Sequence, residues 1–87
     1  MMYEKRIREI IASIIRTNID VNDYKANKDL REIGMDSISF VSIVVAIENE
    51  FGIEFPEDKL LISEAGTIEL FTRVVDNNIN VIHAKNN

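Results

Sequence analysis

Residues 34–52 read GMDSISFVSIVVAIENEFG and have the clearest helical pattern in the chain. Its apolar residues recur at helical spacing, which predicts an α-helix over about residues 37–51. Gly52 is a typical left-handed stop for such a helix. The face that should enter the core consists of Phe40, Ile43, Val44, Ile47 and Phe51.

The opposite face of this helix is also partly apolar. Such residues are either ordinary surface hydrophobics or an interaction surface, and the pattern leaves both interpretations open. Val41 should lie between the two faces. The outer residues are Ile38, Val45 and Ala46, next to Ser42 and Asn49.

Ser37 stands where the helix should begin, a position at which serine is commonly an N-cap. A catalytic serine needs a base, and the only histidine, His83, lies in the polar tail. His83 also lacks the partners that a metal site requires. A calcium loop counted from Asp20 fails, because Lys25 and Arg31 occupy the glycine and glutamate positions. We therefore expect no enzyme and no metal site.

The segments before this helix predict a first helix and a long connection. A first helix over about residues 3–17 follows from the stripe Ile7, Ile10, Ile11, Ile14 and Ile15. Residues 18–36 have the composition of a loop, and a loop this long in a small domain tends to be functional. The apolar residues expected to hold it against the core are Val21, Tyr24, Leu30 and Ile33.

The remaining segments predict two more helices. Pro56 suits the start of a short third helix. Thr67 can cap a fourth helix, which Asn77-Asn78 could end, and the β-branched tail gives a weak strand signal. The buried stripe of the fourth helix is Ile68, Phe71, Val74 and Val75, with Ile79 and Ile82 as further members. The predicted fold is an all-α bundle of three main helices, one short helix and a long first loop, forming one domain over residues 1–87 with an ordered core over about 3–80.

Charge and composition restrict the function further. The chain of 87 residues has a net charge of −5, which argues against nucleic-acid binding. Residues 1–18 have a net charge of +2, so the remainder has −7, which suggests partners with basic docking surfaces. Neither a signal peptide nor an apolar run of the ~20 residues that span a membrane is apparent, so we expect a cytoplasmic protein without membrane insertion.

The sequence resembles the acyl carrier protein family over roughly residues 4–80. The attachment motif of that family is similar to Leu30-x-x-Ile33-Gly34-x-Asp36-Ser37-Ile38. The similarity continues downstream through Val41, Val44, Ile47, Glu48, Phe51 and Phe55-Pro56.

The resemblance implies a covalent 4'-phosphopantetheine on Ser37, attached by a phosphopantetheinyl transferase with coenzyme A as donor. Asp36 would help to position that transferase and its metal. Cargo would be held as a thioester, and because the chain has no cysteine the thiol would come from the prosthetic group. Acyl-activating, condensing or acyl-transfer enzymes would meet a monomeric carrier at Ile38, Ser42, Val45 and Glu48.

The second helix departs from the family pattern in its charge. Carriers of housekeeping fatty-acid synthesis usually have a strongly acidic second helix, whereas this chain has Ser39, Ser42 and Asn49, and keeps only Glu48 and Glu50. The expected function is to carry acyl intermediates in fatty-acid, polyketide or related specialised synthesis. The change in charge favours a specialised pathway, such as polyketide, modified-lipid or aminoacyl assembly. The motif lacks the paired glycines of peptidyl carriers, which favours acyl cargo. The alternatives are an aminoacyl, peptidyl or D-alanyl carrier, or an unmodified helical adaptor.

Overall fold

Helix α1 spans Met2–Ile14 in the computed structural model, which describes residues 2–56 and 66–85. It ends three residues earlier than the periodicity predicts, and beyond its end the Thr17 hydroxyl accepts a hydrogen bond from the Ile19 N–H at 3.2 Å. The predicted stripe faces the core: Ile7, Ile10, Ile11 and Ile15 are buried, and Ile14 is half-buried.

The connection from α1 to the second helix contains two short 3-10 turns, Val21–Asp23 and Leu30–Ile33. Each begins with an aspartate, Asp20 or Asp29, whose carboxylate accepts the backbone N–H two residues later at 2.9 Å. Such local bonds order a polar segment without a long helix. The four residues predicted to hold this connection are all buried: Val21, Tyr24, Leu30 and Ile33.

Arg8 of α1 fixes the first turn of this connection. Its guanidinium donates hydrogen bonds to the carbonyl oxygens of Val21 and Tyr24, each at 2.7 Å. Its Nε atom also donates to Glu4 at 3.1 Å, and the Arg8 side chain is only 12% exposed. A single partly buried cation therefore gives both carbonyl groups a charged donor, in addition to the Tyr24 N–H that the Val21 carbonyl accepts within the loop at 3.2 Å.

Replacing Arg8 by methionine should lower the free energy of unfolding by about 1.5–3 kcal/mol, because both carbonyl groups lose a charged donor. Urea denaturation of the variant would measure the loss. Arg6→Met is the matched control, since the Arg6 guanidinium on the same helix makes only exposed ion pairs with Glu9 and Glu50. Equal losses in the two variants would contradict this account.

Helix α2 spans Ser37–Phe51, as predicted, and Gly52 follows it in the left-handed region with a φ of 66°. The predicted inner residues Phe40, Ile43, Val44 and Ile47 are buried. Phe51 is half-buried and meets the ring of Tyr3 edge-on, with centroids 5.7 Å apart. Ala46 corrects the prediction: it is half-buried against the core and does not belong to the outer face.

Helix α3 spans Ile68–Lys85 and is capped as predicted, since the Thr67 hydroxyl accepts the Leu70 N–H at 3.1 Å. Asn77-Asn78 does not end it, and the tail is not a strand: the Asn78 side chain donates to the Val74 carbonyl at 2.8 Å and stays within the helix. The buried residues of its stripe are Ile68, Phe71, Val74 and Val75, while Ile79 is half-buried.

The core lies where the three helices meet. The Phe71 ring is 5.9 Å from the rings of both Phe40 and Phe55, centroid to centroid. The architecture is all-α, and the described residues contain no strand. The short helix expected from Pro56 onward, and the side chain of Ile82, lie outside the described residues.

Two backbone hydrogen bonds join the connection to the start of α3. The Leu30 N–H donates to the Gly66 carbonyl, and the Glu69 N–H donates to the Ala26 carbonyl, each at 2.9 Å. The Tyr24 hydroxyl closes the segment between them by donating to the Asp29 carbonyl at 2.7 Å. Hydrogen bonds thus hold the long loop against α1 and α3.

None of the helices in the described part of the chain combines the length and apolarity needed to cross a membrane.

Candidate functional site

Two residues cap the start of α2, Asp36 before Ser37 and Ser39 after it. Asp36 is the N-cap: its carboxylate accepts the Ser39 N–H at 2.8 Å. In return the Asp36 N–H donates to the Ser39 hydroxyl, also at 2.8 Å. This is a capping box in which serine takes the place of the usual glutamate or glutamine. The N-cap interpretation of Ser37 is therefore wrong, and Ser37 is the first helical residue.

The Ser37 side chain is exposed, and none of the bonds that close the helix start uses its hydroxyl. It lies in the first turn of a helix of 15 residues, where unpaired N–H groups and the helix dipole favour a negative charge. The cap therefore leaves this hydroxyl unused, and a negatively charged group at this position would meet a favourable field.

The turn before Asp36 is held rigidly. Gly34 has a φ of 109°, a conformation that other residues rarely adopt, and it ends the second 3-10 turn. It lies against the residues that follow α1, since a Cβ atom at this position would be 3.6 Å from the Arg16 carbonyl oxygen. Met35 is buried and its N–H donates to the Leu30 carbonyl. These contacts fix where α2 begins and therefore where Ser37 is presented.

The pKa of Asp36 is lowered, first by the hydrogen bond from the Ser39 backbone N–H and then by the Ser39 hydroxyl. A carboxyl group whose pKa is lower in the folded state stabilises the fold above its unfolded pKa of about 3.9. That stabilisation is lost as the pH falls through the folded value, when the cap becomes protonated.

We expect Asp36→Asn to remove this pH dependence while keeping a cap, because asparagine caps helices about as well as aspartate. The melting temperature of the wild type should exceed that of Asp36→Asn by a constant amount down to about pH 4, and the difference should shrink below it. Thermal unfolding at a series of pH values measures this difference. A difference that grows on acidification would contradict the cap geometry.

The outer face of α2 presents an apolar row next to Ser37. Ile38 is 79% exposed, Val41 57% and Val45 46%, and Ser42 is exposed between them. The structure thus brings Ile38, Ser42 and Val45 together, as predicted, and adds Val41, which helical spacing alone leaves at the edge.

Glu48 has a different position from the other predicted partner residues. It is half-buried, and its carboxylate accepts the Phe55 N–H at 2.9 Å, so it holds the segment after Gly52. An apolar cavity of about 270 Å³ lies beside it, lined by Phe40, Val41, Val44, Val45 and Glu48.

A second, more polar groove of about 470 Å³ lies between α1, the loop and α3, and no residue of α2 lines it. No group of three potential metal ligands occurs among the described residues.

Comparison with known proteins gives the family of this fold and site. The family described as "Phosphopantetheine attachment site" matches residues 5–75. An acyl carrier protein homolog from Mycoplasma genitalium is 43% identical over 56 residues, covering 64% of this chain and 66% of the relative. The chain belongs to the acyl carrier protein family. Acyl carrier protein 2 from Pseudomonas aeruginosa is 31% identical over 74 residues, covering 84% of this chain and 85% of the relative.

Solved structures of carriers have the same fold. A chain in the complex of an engineered Bradyrhizobium japonicum glycine:[carrier protein] ligase with a carrier protein from Agrobacterium tumefaciens matches with a TM-score of 0.75 and 28% identity, covering 85% of this chain and 96% of that one. Hexanoyl acyl carrier protein from the actinorhodin polyketide synthase of Streptomyces coelicolor has a TM-score of 0.76 at 14% identity, covering 87% and 88%. The second likeness concerns the fold alone.

Acyl carrier proteins have a covalent 4'-phosphopantetheine group and are carriers, not catalysts. The residues present fit that group, because the exposed Ser37 hydroxyl lies in the first turn of α2 and takes no part in the Asp36–Ser39 cap. The carrier protein from Agrobacterium tumefaciens is in complex with a ligase in the first of these structures.

Proposed function

We propose that this chain is an acyl carrier protein in which Ser37 is the attachment residue for 4'-phosphopantetheine. One observation supports the assignment above the others: the Ser37 hydroxyl is exposed in the first turn of α2, while Asp36 and Ser39 close the helix. If Ser37 were itself the N-cap, its hydroxyl would be needed both for the cap and for the modification.

Each residue around Ser37 has a role in this proposal. The first turn of α2 stabilises a phosphodiester on Ser37 through its free N–H groups and the helix dipole. Asp36 is exposed and ionised at neutral pH, and we assign it to recognition by the transferase. When bound, the prosthetic group supplies the thiol that holds cargo as a thioester, which a chain without cysteine cannot supply itself.

The partner surface in this proposal is the outer face of α2. Ile38 follows Ser37 directly, Ser42 and Val45 lie further along that face, and Glu48 lies at its far end. Acyl-activating, condensing and acyl-transfer enzymes would dock there in turn, and weak contacts would permit the rapid release that a carrier needs.

The proposed cargo is an acyl group of a specialised pathway. The relatives named acyl carrier protein support acyl cargo. The neutral Ser39, Ser42 and Asn49 favour a specialised pathway over housekeeping fatty-acid synthesis. We further propose that residues 1–87 form one monomeric carrier domain in the cytoplasm, where coenzyme A is available.

An aminoacyl cargo is the second candidate. The observation that favours it is the 28% identity and TM-score of 0.75 to a chain from the complex of a glycine:[carrier protein] ligase with its carrier. Loading of the modified protein with glycine by such a ligase, in parallel with a fatty acid by an acyl-activating enzyme, would distinguish the two cargo classes.

Intact-protein mass spectrometry tests the proposal itself. The purified protein is incubated with coenzyme A, magnesium and a broad-specificity phosphopantetheinyl transferase. The expected result is a gain of one phosphopantetheine per chain, located on the peptide that contains Ser37. A folded protein that gains nothing with several transferases would contradict the proposal and favour an unmodified adaptor.

A further inference from the structure

We infer that Ser39 is a positioning residue for attachment of the arm: it holds one oxygen of the Asp36 carboxylate in the cap of α2 and so keeps the other oxygen available to the transferase. The inference rests on the proposed function, which assigns Ser37 to attachment and Asp36 to recognition. It gives Ser39 a role in the reaction in addition to its role in the stability of the helix.

Both hydrogen bonds from Ser39 to the Asp36 side chain end on the same carboxylate oxygen. The Ser39 N–H donates to Oδ1 at 2.8 Å, and the Ser39 hydroxyl oxygen lies 3.0 Å from Oδ1. Rotation of an aspartate carboxylate about its Cβ–Cγ bond is otherwise loose, so two donors on one oxygen restrict it more than one donor does. Neither bond uses Oδ2. This oxygen can therefore accept a donor or contact a metal ion of the transferase while the cap stays closed.

The proton of the Ser39 hydroxyl has two acceptors within reach, and the carboxylate is the better one. The Asp36 carbonyl oxygen is 3.2 Å from the hydroxyl and already accepts the Phe40 N–H at 2.8 Å. Oδ1 is closer and ionised, and hydrogen bonds to ionised acceptors are roughly twice as strong as neutral ones. The hydroxyl therefore donates to the carboxylate, while its oxygen accepts the Asp36 N–H at 2.8 Å.

Serine does two things at this position that an ionised glutamate cannot combine. Glutamate, one of the usual capping-box residues, accepts the N-cap N–H but has no proton to donate to a carboxylate. It would also place a second negative charge beside Asp36. A serine hydroxyl both accepts and donates, so Ser39 closes the cap and orients the carboxylate at the same time.

The kinetics of arm attachment by a broad-specificity phosphopantetheinyl transferase test this role. Ser39→Ala should lower kcat/KM for the carrier about tenfold, because a carboxylate held by one donor is less often in the productive orientation. Ser39→Thr keeps a hydroxyl and should restore the wild-type kcat/KM, since position 39 is exposed and has room for the extra methyl group. A Ser39→Thr variant as slow as Ser39→Ala would overturn the inference.

Loss of a helix cap elsewhere in the chain is the matched control for stability. The Thr67 hydroxyl caps α3 by accepting the Leu70 N–H at 3.1 Å, so Thr67→Ala should lower the melting temperature much as Ser39→Ala does. The kcat/KM of Thr67→Ala should nevertheless equal that of the wild type, at a temperature where circular dichroism shows both variants folded. Equal kcat/KM values for Ser39→Ala and Thr67→Ala would mean that Ser39 has no role beyond the cap.

A double-mutant cycle shows whether Ser39 acts through the Asp36 carboxylate. Asp36→Asn keeps a cap but lacks the charged group that Ser39 orients. In the Asp36→Asn background, Ser39→Ala should therefore change kcat/KM by less than about twofold, against about tenfold in the wild type. Equal losses in the two backgrounds would overturn the inference alone. A folded wild type that gains no arm would overturn the proposed function and this inference together.

Discussion

Replacement of Ser37 by alanine should abolish the gain of phosphopantetheine and leave the bundle folded. The modification is lost completely because no other hydroxyl stands at the first position of α2. The fold is retained because the cap consists of Asp36 and Ser39, and alanine is a good helix former. Intact mass after incubation with the transferase, together with thermal unfolding, measures both effects.

Two neighbouring serines provide the controls for this experiment. Ser42→Ala lies on the same exposed face and should be modified at full stoichiometry. Ser39→Ala removes the hydroxyl that accepts the Asp36 N–H, so it should lower the melting temperature and still be modified. A mass gain on Ser37→Ala, or unfolding of that variant, would refute the separation of cap and attachment residue.

Replacement of Phe71 by alanine should destabilise the protein more than any surface change. Phe71 is fully buried, and its ring packs against those of Phe40 and Phe55. Truncation of a buried phenylalanine costs about 3–5 kcal/mol. Because domains of this size have only about 5–15 kcal/mol in total, and small ones lie near the lower limit, a large fraction should unfold at 37 °C.

Urea denaturation of Phe71→Ala should therefore show a midpoint far below that of the wild type. Leu70→Ala is the matched control, since Leu70 is the preceding residue of α3 and only half-buried. Its loss should be distinctly smaller. Similar midpoints for the two variants would mean that the aromatic cluster does not form the centre of the core.

The helices were predictable because their apolar residues repeat over several turns. The bounds of α2 agree with the structure because Gly52 needs a positive φ and so ends the helix at a defined residue. The end of α3 was not predictable in this way. Asparagine often ends a helix, but here the Asn78 side chain donates to the Val74 carbonyl and the helix continues to Lys85.

The start of α2 was predicted to the residue at Ser37, whereas the residue that caps the helix was not. Asp36 and Ser39 are three residues apart, which is the spacing of a capping box. This spacing identifies Asp36 as the N-cap, whereas the start of the apolar pattern alone had suggested Ser37. The bonds of Arg8 to Val21 and Tyr24 depend on how α1 and the loop approach in space. Helical periodicity does not report that distance.

The bonded loop also has a consequence for how the chain folds. Helical bundles with mostly local contacts fold quickly, whereas contacts between distant residues first require the chain to close on itself. The bonds from Leu30 to Gly66 and from Ala26 to Glu69 join segments far apart in sequence. We therefore expect docking of the loop onto α3 to complete folding after the helices have formed, so that the turn presenting Ser37 becomes ordered last.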